Sequence, residues 1–255
     1  MIDIHSHILP GIDDGAKNQE ETLEMLKTAE KDGTKKIIAT PHYCKEYAEE
    51  PLCKVNELLH SIRELVKDNN IDLEIFAGQE IYIFDNIINY YKEGIIGTIN
   101  KTKYMLIEFP MNSFKDNTLD LLYELQLLGV QPIIAHPERY LPIIKNPREI
   151  NKFIEEGMLF QLNAGSITGK FGKDVMRTCK VLLENNMYSF IGSDAHNTGK
   201  RNTSMKESIN YLKSNFDIIG DSFAKNGQKL LDNINVDFIG NKIQNKKSIF
   251  DIFKK

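Results

Sequence analysis

The feature that most constrains this fold is a regular alternation of short β-branched runs with amphipathic segments. Strands are predicted near residues 2–6, 35–40, 72–80, 103–109, 131–136, 158–163 and 188–193. Helices are predicted near residues 19–32, 53–68, 84–92, 116–128, 147–156, 171–186 and 203–213. Strands and helices that alternate over such short connections predict a parallel sheet. Seven repeats of this unit predict an α/β fold whose sheet closes, or nearly closes, into a barrel.

The alternative is an open doubly wound sheet, which needs a glycine-rich phosphate loop after an early strand. Neither GxGxxG nor GxxxxGK[ST] occurs in the chain, which favours the barrel. Asn18 followed by Glu21 fits a capping box, and Pro147 after Asn146 suits the first position of a helix. Glycines expected just beyond helix ends are Gly33, Gly129 and Gly157.

The composition indicates a globular protein with a substantial core. The 255 residues are 41% hydrophobic and 27% charged, and no linker or repeat divides them. We expect one barrel domain over residues 1–233 and a loosely packed extension over 234–255, which is rich in Asn and Lys. The net charge of −4 argues against a general nucleic-acid binder.

Cysteine use and apolar run length predict the compartment. Cys44, Cys53 and Cys179 are odd in number and form no CxxC pair. With no signal peptide evident, they predict a reducing cytoplasm. The longest apolar runs have the length of strands, so no membrane insertion is expected.

Polar side chains end most of the predicted strands. Five of the six histidines do so together with several carboxylates: His5, His7, His42, His136, His196, Glu80, Glu108 and Asp194. In a β/α barrel this rim is where active sites assemble, so residues distant in sequence are expected to converge there. Imidazoles and carboxylates without a thiolate suit Mn, Fe or Zn.

Each of these signals is weak in isolation. His5-x-His7 places two rings on one face of the first strand, and Asp194-x-His196 repeats that spacing at the last strand. The two pairs would be neighbours in a closed barrel, which makes coincidence a poor explanation. His42 and His136 stand beside prolines, where a backbone-bonded histidine is the ordinary interpretation.

Other polar residues have ordinary interpretations too. Glu80 and Glu108 end apolar runs, and their alternative is a rim salt bridge to Arg139. Asp13-Asp14-Gly15 has the sequence of a turn, and only its place beside the first strand draws attention to Asp14. His60 lies in the middle of a predicted helix, which indicates a solvated or structural role.

The charges at this rim indicate an anionic phosphoester as ligand. Three divalent ions would outweigh the carboxylates of Asp14, Glu80, Glu108 and Asp194 and leave a positive mouth. Arg139 and Arg201 would add fork-shaped phosphate donors. Cysteine-based phosphatase chemistry is excluded because no cysteine has an arginine six residues later.

Several blocks of the chain resemble one enzyme superfamily. They are IDIHSHILPGIDDG, ATPH, GQEIY, LIEFP, IIAHPERY, QLNAGS and SDAHN. They resemble the polymerase-and-histidinol-phosphatase (PHP) superfamily, and within it the bacterial manganese-dependent protein-tyrosine phosphatases of capsule and exopolysaccharide operons. The resemblance implies a distorted, TIM-like (β/α)7 barrel holding three metal ions, most often manganese. Carboxylates at Asp14 and Glu108, often histidines in the superfamily, favour the tyrosine-phosphatase branch.

The resemblance also implies how the site works. His5, His7, Glu80 and Asp194 would hold one ion, Glu80, Glu108 and His136 a second, and Asp14, His42 and His196 a third. Catalysis would depend on Arg139 and Arg201, which match phosphate-binding arginines, and on Asp194 and His136. Metal-bound hydroxide would attack phosphorus in line, with no cysteinyl intermediate. The substrate implied is the tyrosine-rich tail of an autophosphorylating bacterial kinase that controls polysaccharide export.

Three alternatives remain open. A small-molecule phosphoesterase such as a histidinol phosphatase would use a similar centre. An amidohydrolase also begins with HxH on a barrel, but usually has a bridging carboxylated lysine where Glu108 stands. A catalytically silent module could bind the kinase through a vestigial site. Tyr43, Tyr140 and Phe171 would stack on a substrate ring or simply pack in loops, and a homo-oligomer is compatible with the sequence.

Overall fold

The structure is a computed structural model that describes residues 1–216 and 219–244, with the side chains of 219–221 left out. Within these ranges the strands are β1 (Ile2–Ser6), β2 (Lys36–Ala39), β3 (His42–Tyr43), β4 (Glu74–Ala77), β5 (Glu80–Tyr82), β6 (Tyr104–Glu108), β7 (Gln131–Ala135), β8 (Leu159–Asn163) and β9 (Phe190–Gly192). The α-helices are α1 (Gln19–Lys31), α2 (Leu52–Asp68), α3 (Ile87–Lys92), α4 (Thr118–Leu127), α5 (Leu141–Lys145), α6 (Asn151–Glu155), α7 (Ala164–Ile167), α8 (Lys173–Glu184), α9 (Lys206–Asn215) and α10 (Ile219–Leu231). Short 3-10 turns cover Ile99–Lys101, Pro137–Arg139 and Pro147–Ile150.

The strands pair in parallel and form a curled sheet. One ladder has the order β1-β2-β4 and the other has the order β3-β5-β6-β7-β8-β9. The two ladders are continuous where β2 leads into β3 and β4 into β5, because the Gly78 amide donates to the Ala39 carbonyl (2.8 Å) and the Glu80 amide to the Pro41 carbonyl (3.0 Å). The predicted α/β architecture with a parallel sheet is therefore confirmed.

The two outer ends of the sheet are also joined by hydrogen bonds. The Asp194 amide donates to the His5 carbonyl at 2.8 Å, and the His7 amide donates to the Ala195 carbonyl at 2.9 Å. The residues that follow β9 therefore lie beside the end of β1. This contact brings the first and last histidine blocks of the sequence together.

The alternating pattern of β6 shows why polar side chains gather at one edge. Met105 and Ile107 pack in a cluster with Leu122 and Leu125 of α4, so this face of the strand is covered by a helix. Glu108 belongs to the opposite face, because successive side chains of a strand alternate. Parallel strands covered by helices are apolar along most of their length, so a terminal carboxylate is conspicuous.

The predicted helix ends are largely present, with one correction. Asn18 caps α1 by accepting the Glu21 amide at 2.9 Å, but the Glu21 carboxylate accepts from Lys17 N rather than from Asn18 N. The capping box is thus only half formed. Backbone φ values between +73° and +93° are found at the glycines expected after helices, namely Gly33, Gly129 and Gly157.

Helix α10 is absent from the sequence prediction. It packs on the sheet beside β1, where a Cβ atom at Gly227 would meet Ile2 Cβ at 3.1 Å. Asn226 fixes the helix by donating to the Ser189 carbonyl at 2.9 Å. The glycine and asparagine that weaken the local helix signal thus serve the contact with the sheet.

The described part of the predicted extension lies against the sheet and its helices. The Tyr104 hydroxyl donates to the Ile234 carbonyl (2.6 Å) and accepts the Val236 amide (3.0 Å), and Ile243 exchanges two hydrogen bonds with Asn151. The domain limit at residue 233 stays a prediction, and residues 245–255 lie outside the described residues. Among the helices described, none is long and apolar enough to cross a membrane.

Candidate metal centre

The strand ends bring the nine predicted ligands to one place. His5 lies in β1, His42 in β3 and Glu80 in β5, while His136 follows β7 and Asp194 lies two residues beyond β9. The C-terminal ends of parallel strands share one edge of the sheet, so these side chains converge there. They form three overlapping groups.

The inner group consists of His5, His7, Glu80 and Asp194. The Nε2 atoms of His5 and His7 are 3.2 Å apart and lie 3.1 and 3.3 Å from Glu80 Oε2. Both atoms also lie 3.6 Å from Asp194 Oδ1. Two imidazole nitrogens and two carboxylate oxygens thus face one common point.

The middle group consists of His42, Glu80, Glu108 and His136. His136 Nε2 lies 3.1 Å from Glu80 Oε1 and 3.5 Å from Glu108 Oε1. His42 Nδ1 lies 3.1 Å from Glu80 Oε2 and 3.7 Å from Glu108 Oε2. Glu80 therefore faces the inner group with one oxygen and His136 with the other.

The rim group consists of Asp14, His42 and His196. Asp14 Oδ1 lies 3.3 Å from His196 Nε2 and 3.6 Å from His42 Nε2. His7 borders this group as well, with its ring centroid 3.8 Å from that of His196. Asp14 lies in the segment after β1, the first strand, and His196 lies in the segment after β9, the last strand.

Hydrogen bonds behind the rings fix which nitrogen is offered to the centre. Nδ1 of His5 faces Gln161 Oε1 at 2.9 Å, and Nδ1 of His7 faces Asp13 Oδ2 at 2.7 Å. Nδ1 of His196 faces the Asp194 carbonyl at 3.0 Å. A proton on Nδ1 would be bound by each of these acceptors, so Nε2 is the nitrogen whose electron pair can bind a metal once any second proton has left the ring.

Asp13 and Gln161 contact the candidate ligands from behind, and the sequence interpretation gave neither residue a role although both lie in the blocks IDIHSHILPGIDDG and QLNAGS. The Asp13 carboxylate is fully buried and accepts from His7, from the His42 amide (2.9 Å) and from the Gly15 amide (2.9 Å). Gln161 holds His5 and accepts the His136 amide at 3.3 Å. The adjacent pair Asp13-Asp14 was a signal, but it did not reveal which carboxylate turns inward.

Several buried atoms of these groups have no hydrogen-bond partner among the described residues. They are His42 Nδ1, Glu80 Oε2, His136 Nδ1 and His196 Nε2. Most of them lie within about 3.3 Å of a neighbouring donor or acceptor, yet the geometry is wrong for a direct hydrogen bond. Electron pairs that converge without bonding one another are the arrangement that a shared cation satisfies. The residues present therefore fit divalent metal ions.

The ligand histidines differ in protonation when no ion is bound. Although burial opposes it, the charges of Glu80 and Asp194 raise the pKa of His5, and those of Asp13 and Glu80 raise the pKa of His7, so an ion would displace a proton from these two rings. Burial lowers the pKa of both His136 and His196 to about 4, so both rings are neutral and able to bind a metal at pH 7. Burial, with the charge of Glu80, raises the pKa of Glu108 well above its usual range. The crowded carboxylates repel one another, and positive ions would relieve that repulsion.

Asp194 also links the centre to two arginines. Its Oδ2 accepts from Arg139 Nη1 (2.7 Å) and Asn163 Nδ2 (2.6 Å), and its Oδ1 accepts from Arg201 Nη2 (2.7 Å). Although burial disfavours the charged carboxylate, His5 and these guanidinium groups hold its pKa below the usual range. Asn163 is a further contact that the sequence interpretation did not identify.

Two residues of the centre have an unusual backbone. His136 has a φ of +32° and Asp194 has a φ of +52°, both in the left-handed region that favours glycine. His136 directly follows β7, and Asp194 lies two residues beyond the end of β9. The turn directs the side chain back towards the sheet edge, and the surrounding structure stabilises a conformation that is costly for a side-chain-bearing residue.

The aromatic candidates separate into two kinds. Tyr43 and Tyr140 are buried, and the Tyr140 hydroxyl accepts the Phe109 amide at 3.0 Å, so these two rings pack in the core. Phe171 is half-buried and lies against Arg139 and Arg201. His60 is exposed on α2, as its position in the sequence predicts.

The curled parallel sheet and its histidine–carboxylate edge define an α/β protein with a candidate multinuclear metal centre. The chain belongs to the family described as "Capsular polysaccharide synthesis, CpsB/CapC", whose model matches residues 1–232. The family-level resemblance seen in the sequence is therefore confirmed.

Named relatives agree with this assignment. The chain is 38% identical over 217 residues to the tyrosine-protein phosphatase YwqE of Bacillus subtilis, covering 85% of each chain. It is 32% identical over 236 residues to the tyrosine-protein phosphatase CpsB of Streptococcus pneumoniae, covering 90% of this chain and 94% of that one. A crystal structure from work on these two proteins, described there as metal-dependent tyrosine phosphatases, matches with a TM-score of 0.91 and 35% identity over 96% of this chain and 100% of that chain.

Proposed function

We propose that this protein is a metal-dependent protein-tyrosine phosphatase. The observation that carries the proposal is the meeting of nine imidazole and carboxylate ligands with two arginines at one sheet edge. Relatives of similar length that are named tyrosine-protein phosphatases support it. The fold we propose is a distorted seven-stranded PHP-type barrel, in which β2 with β3 and β4 with β5 each count as one interrupted strand.

We assign three divalent ions to the three groups. The inner group would hold one ion, Glu80 with Glu108 and His136 a second, and the rim group a third. The ligand set contains nitrogen and oxygen but no sulfur, which suits manganese, with iron or zinc as substitutes. The overlap of the groups at Glu80 supports bridging by this carboxylate.

The two arginines are suited to binding the phosphoryl group. Each guanidinium uses one Nη atom on Asp194 and keeps further N–H groups for the non-bridging oxygens. Their positive charge would stabilise the negative charge that these oxygens carry in an in-line transfer. When bound, the ions would supply water activation at neutral pH and further charge neutralisation.

The leaving group and the absence of a nucleophilic cysteine complete the mechanism. A tyrosine phenolate, with a pKa of about 10, leaves more readily than an alkoxide. The chain has no Cys-x5-Arg segment, so a cysteinyl intermediate has no place in this reaction. His136 would act by holding an ion near the phosphorus atom. Asp194 would act by holding an ion and both arginines there.

We propose the phosphorylated tyrosine-rich tail of a bacterial kinase as the substrate. The family description, capsular polysaccharide synthesis, supports a kinase of that pathway as partner. A cytoplasmic location is part of the proposal, supported by three cysteines that are all free thiols.

Phosphate release tests the proposal. Protein purified without chelator is given manganese and assayed in parallel on a phosphotyrosine peptide and on histidinol phosphate. We expect release from the peptide, and none after chelation or in His136→Ala. Preference for histidinol phosphate would indicate a small-molecule phosphoesterase. No release from either substrate would indicate a binding module.

A further inference from the structure

Phe171 lies against both arginines of the site. The ring centroid is 4.7 Å from Arg139 Cζ and 5.9 Å from Arg201 Cζ. A guanidinium group over an aromatic face is attracted by the negative face of the ring. One neutral side chain outside the ligand set therefore contacts both of the arginines to which the proposed function assigns phosphate binding.

The position of the ring depends on Gly165. A Cβ atom at Gly165 would lie 2.9 Å from Phe171 Cε2, so a side chain there would displace the ring. Gly165 is itself fixed, because its amide donates to Asn163 Oδ1 at 3.1 Å and Asn163 Nδ2 donates to Asp194 Oδ2 at 2.6 Å. The ring and the Asp194 carboxylate are thus held in one connected arrangement.

The arginines retain N–H groups that the protein does not use. Arg201 Nε is buried and has no hydrogen-bond partner among the described residues. A buried donor without a partner is unfavourable, and a ligand oxygen would satisfy it. A phenyl ring has no oxygen or nitrogen atom to accept these N–H groups, so the contact with Phe171 leaves them available to a ligand.

We propose that Phe171 is a positioning residue that orients Arg139 and Arg201 towards the oxygens of the substrate phosphoryl group. The ligand it implies rests on the proposed function. Without the ring, each long arginine side chain would regain rotamer freedom and would have to lose it again on binding phosphate. Asp194 alone holds each guanidinium by a single nitrogen, which leaves its plane free to turn.

The test measures binding of inorganic phosphate to the manganese-loaded protein by calorimetry. Phe171→Leu keeps an apolar side chain but removes the ring, and we expect its phosphate affinity to fall about tenfold with unchanged metal content. Phe171→Tyr keeps the ring and should bind within about twofold of the wild type. The matched control is Phe76→Leu, because Phe76 is another half-buried ring that carries one lysine, Lys36, at 5.9 Å.

Two results would overturn the inference. Wild-type phosphate affinity in Phe171→Leu would mean that the ring only fills space. Loss of metal from that variant would mean that the ring serves the ligands rather than the arginines. The measurement needs no turnover, so ring-dependent phosphate binding in a protein that leaves phosphotyrosine peptide intact would contradict the proposed function and leave this inference standing.

Discussion

The inner group and the rim group differ in how much of their geometry exists before any ion binds. Side chains of His5, His7, Glu80 and Asp194 are at most 1% exposed, and hydrogen bonds from behind hold each imidazole. The Asp14 carboxylate of the rim group is 44% exposed, and its ion-pair partners are His42 and His196 alone among the described residues. The inner group is therefore preorganised, whereas the Asp14 carboxylate of the rim group would be ordered largely by its ion.

The largest expected effect is the difference in turnover between a variant that lacks the inner carboxylate Asp194 and one that lacks the rim carboxylate Asp14. Asp194→Ala should reduce turnover of phosphotyrosine peptide to background, because it removes an inner ligand and releases both arginines. Asp14→Ala should keep measurable turnover at raised manganese, since water can replace a half-exposed carboxylate. Steady-state rates over a manganese series give the comparison. More than a tenth of wild-type turnover in Asp194→Ala would contradict the central place of that residue.

Stepwise removal of metal should also distinguish the rim group from the inner group. A chelator is expected to remove the rim ion first with little loss of stability. Removal of the inner ion should then lower the melting temperature by about 5–10 °C. An ion whose free concentration is about 100 times its Kd adds about 2.7 kcal/mol to the free energy of unfolding. Metal analysis and thermal unfolding of the same samples give both quantities. A single step that empties all sites would show that the groups are not distinct.

A smaller effect is expected from the carboxylate behind His7. Asp13→Asn keeps the shape of the side chain but weakens its acceptance of the His7 Nδ1 proton, which should lower manganese affinity about 10–100-fold. The control is Asp85→Asn, an exposed carboxylate that pairs with Lys115 and is not one of the nine ligand candidates. Both variants are titrated with manganese and the titration is followed by activity. Equal manganese affinities in the two variants would show that Asp13 does not support the metal centre.

The smallest effect is expected at His60, the one histidine outside all three groups. His60 is exposed on α2, so His60→Ala should change the free energy of unfolding by less than about 0.5 kcal/mol. Turnover and metal content should stay at wild-type values. Denaturant unfolding and metal analysis check this, and a loss of metal would mean that the ligand set is incomplete.

The site was predictable from sequence where position along a strand alone determines it. His5 and Asp194 end runs that must be parallel strands, and the ends of such strands meet at one edge whatever the details of the turns. Asp13 was not predictable, because two adjacent carboxylates in a turn look alike until the fold brings the His42 amide to one of them.

The fold was predictable to a similar degree. The alternation of strands and helices fixed the order of the elements, but not the breaks in the second and third strands, which hydrogen bonds across Pro41 and Gly78 determine. Helix α10 escaped prediction because Gly227 and Asn226 lower helix propensity. Their value lies in contacts with Ile2 and Ser189, which only the tertiary structure supplies.

The left-handed backbone at His136 and Asp194 has a consequence for engineering. Such a conformation costs a residue with a side chain about 1 kcal/mol or more, and glycine would adopt it freely. Glycine at either position would relieve this cost, but it would also remove a ligand of the centre, and a bound ion contributes about 2.7 kcal/mol. Selection for heat resistance in the presence of manganese should therefore keep both side chains in spite of the strained backbone.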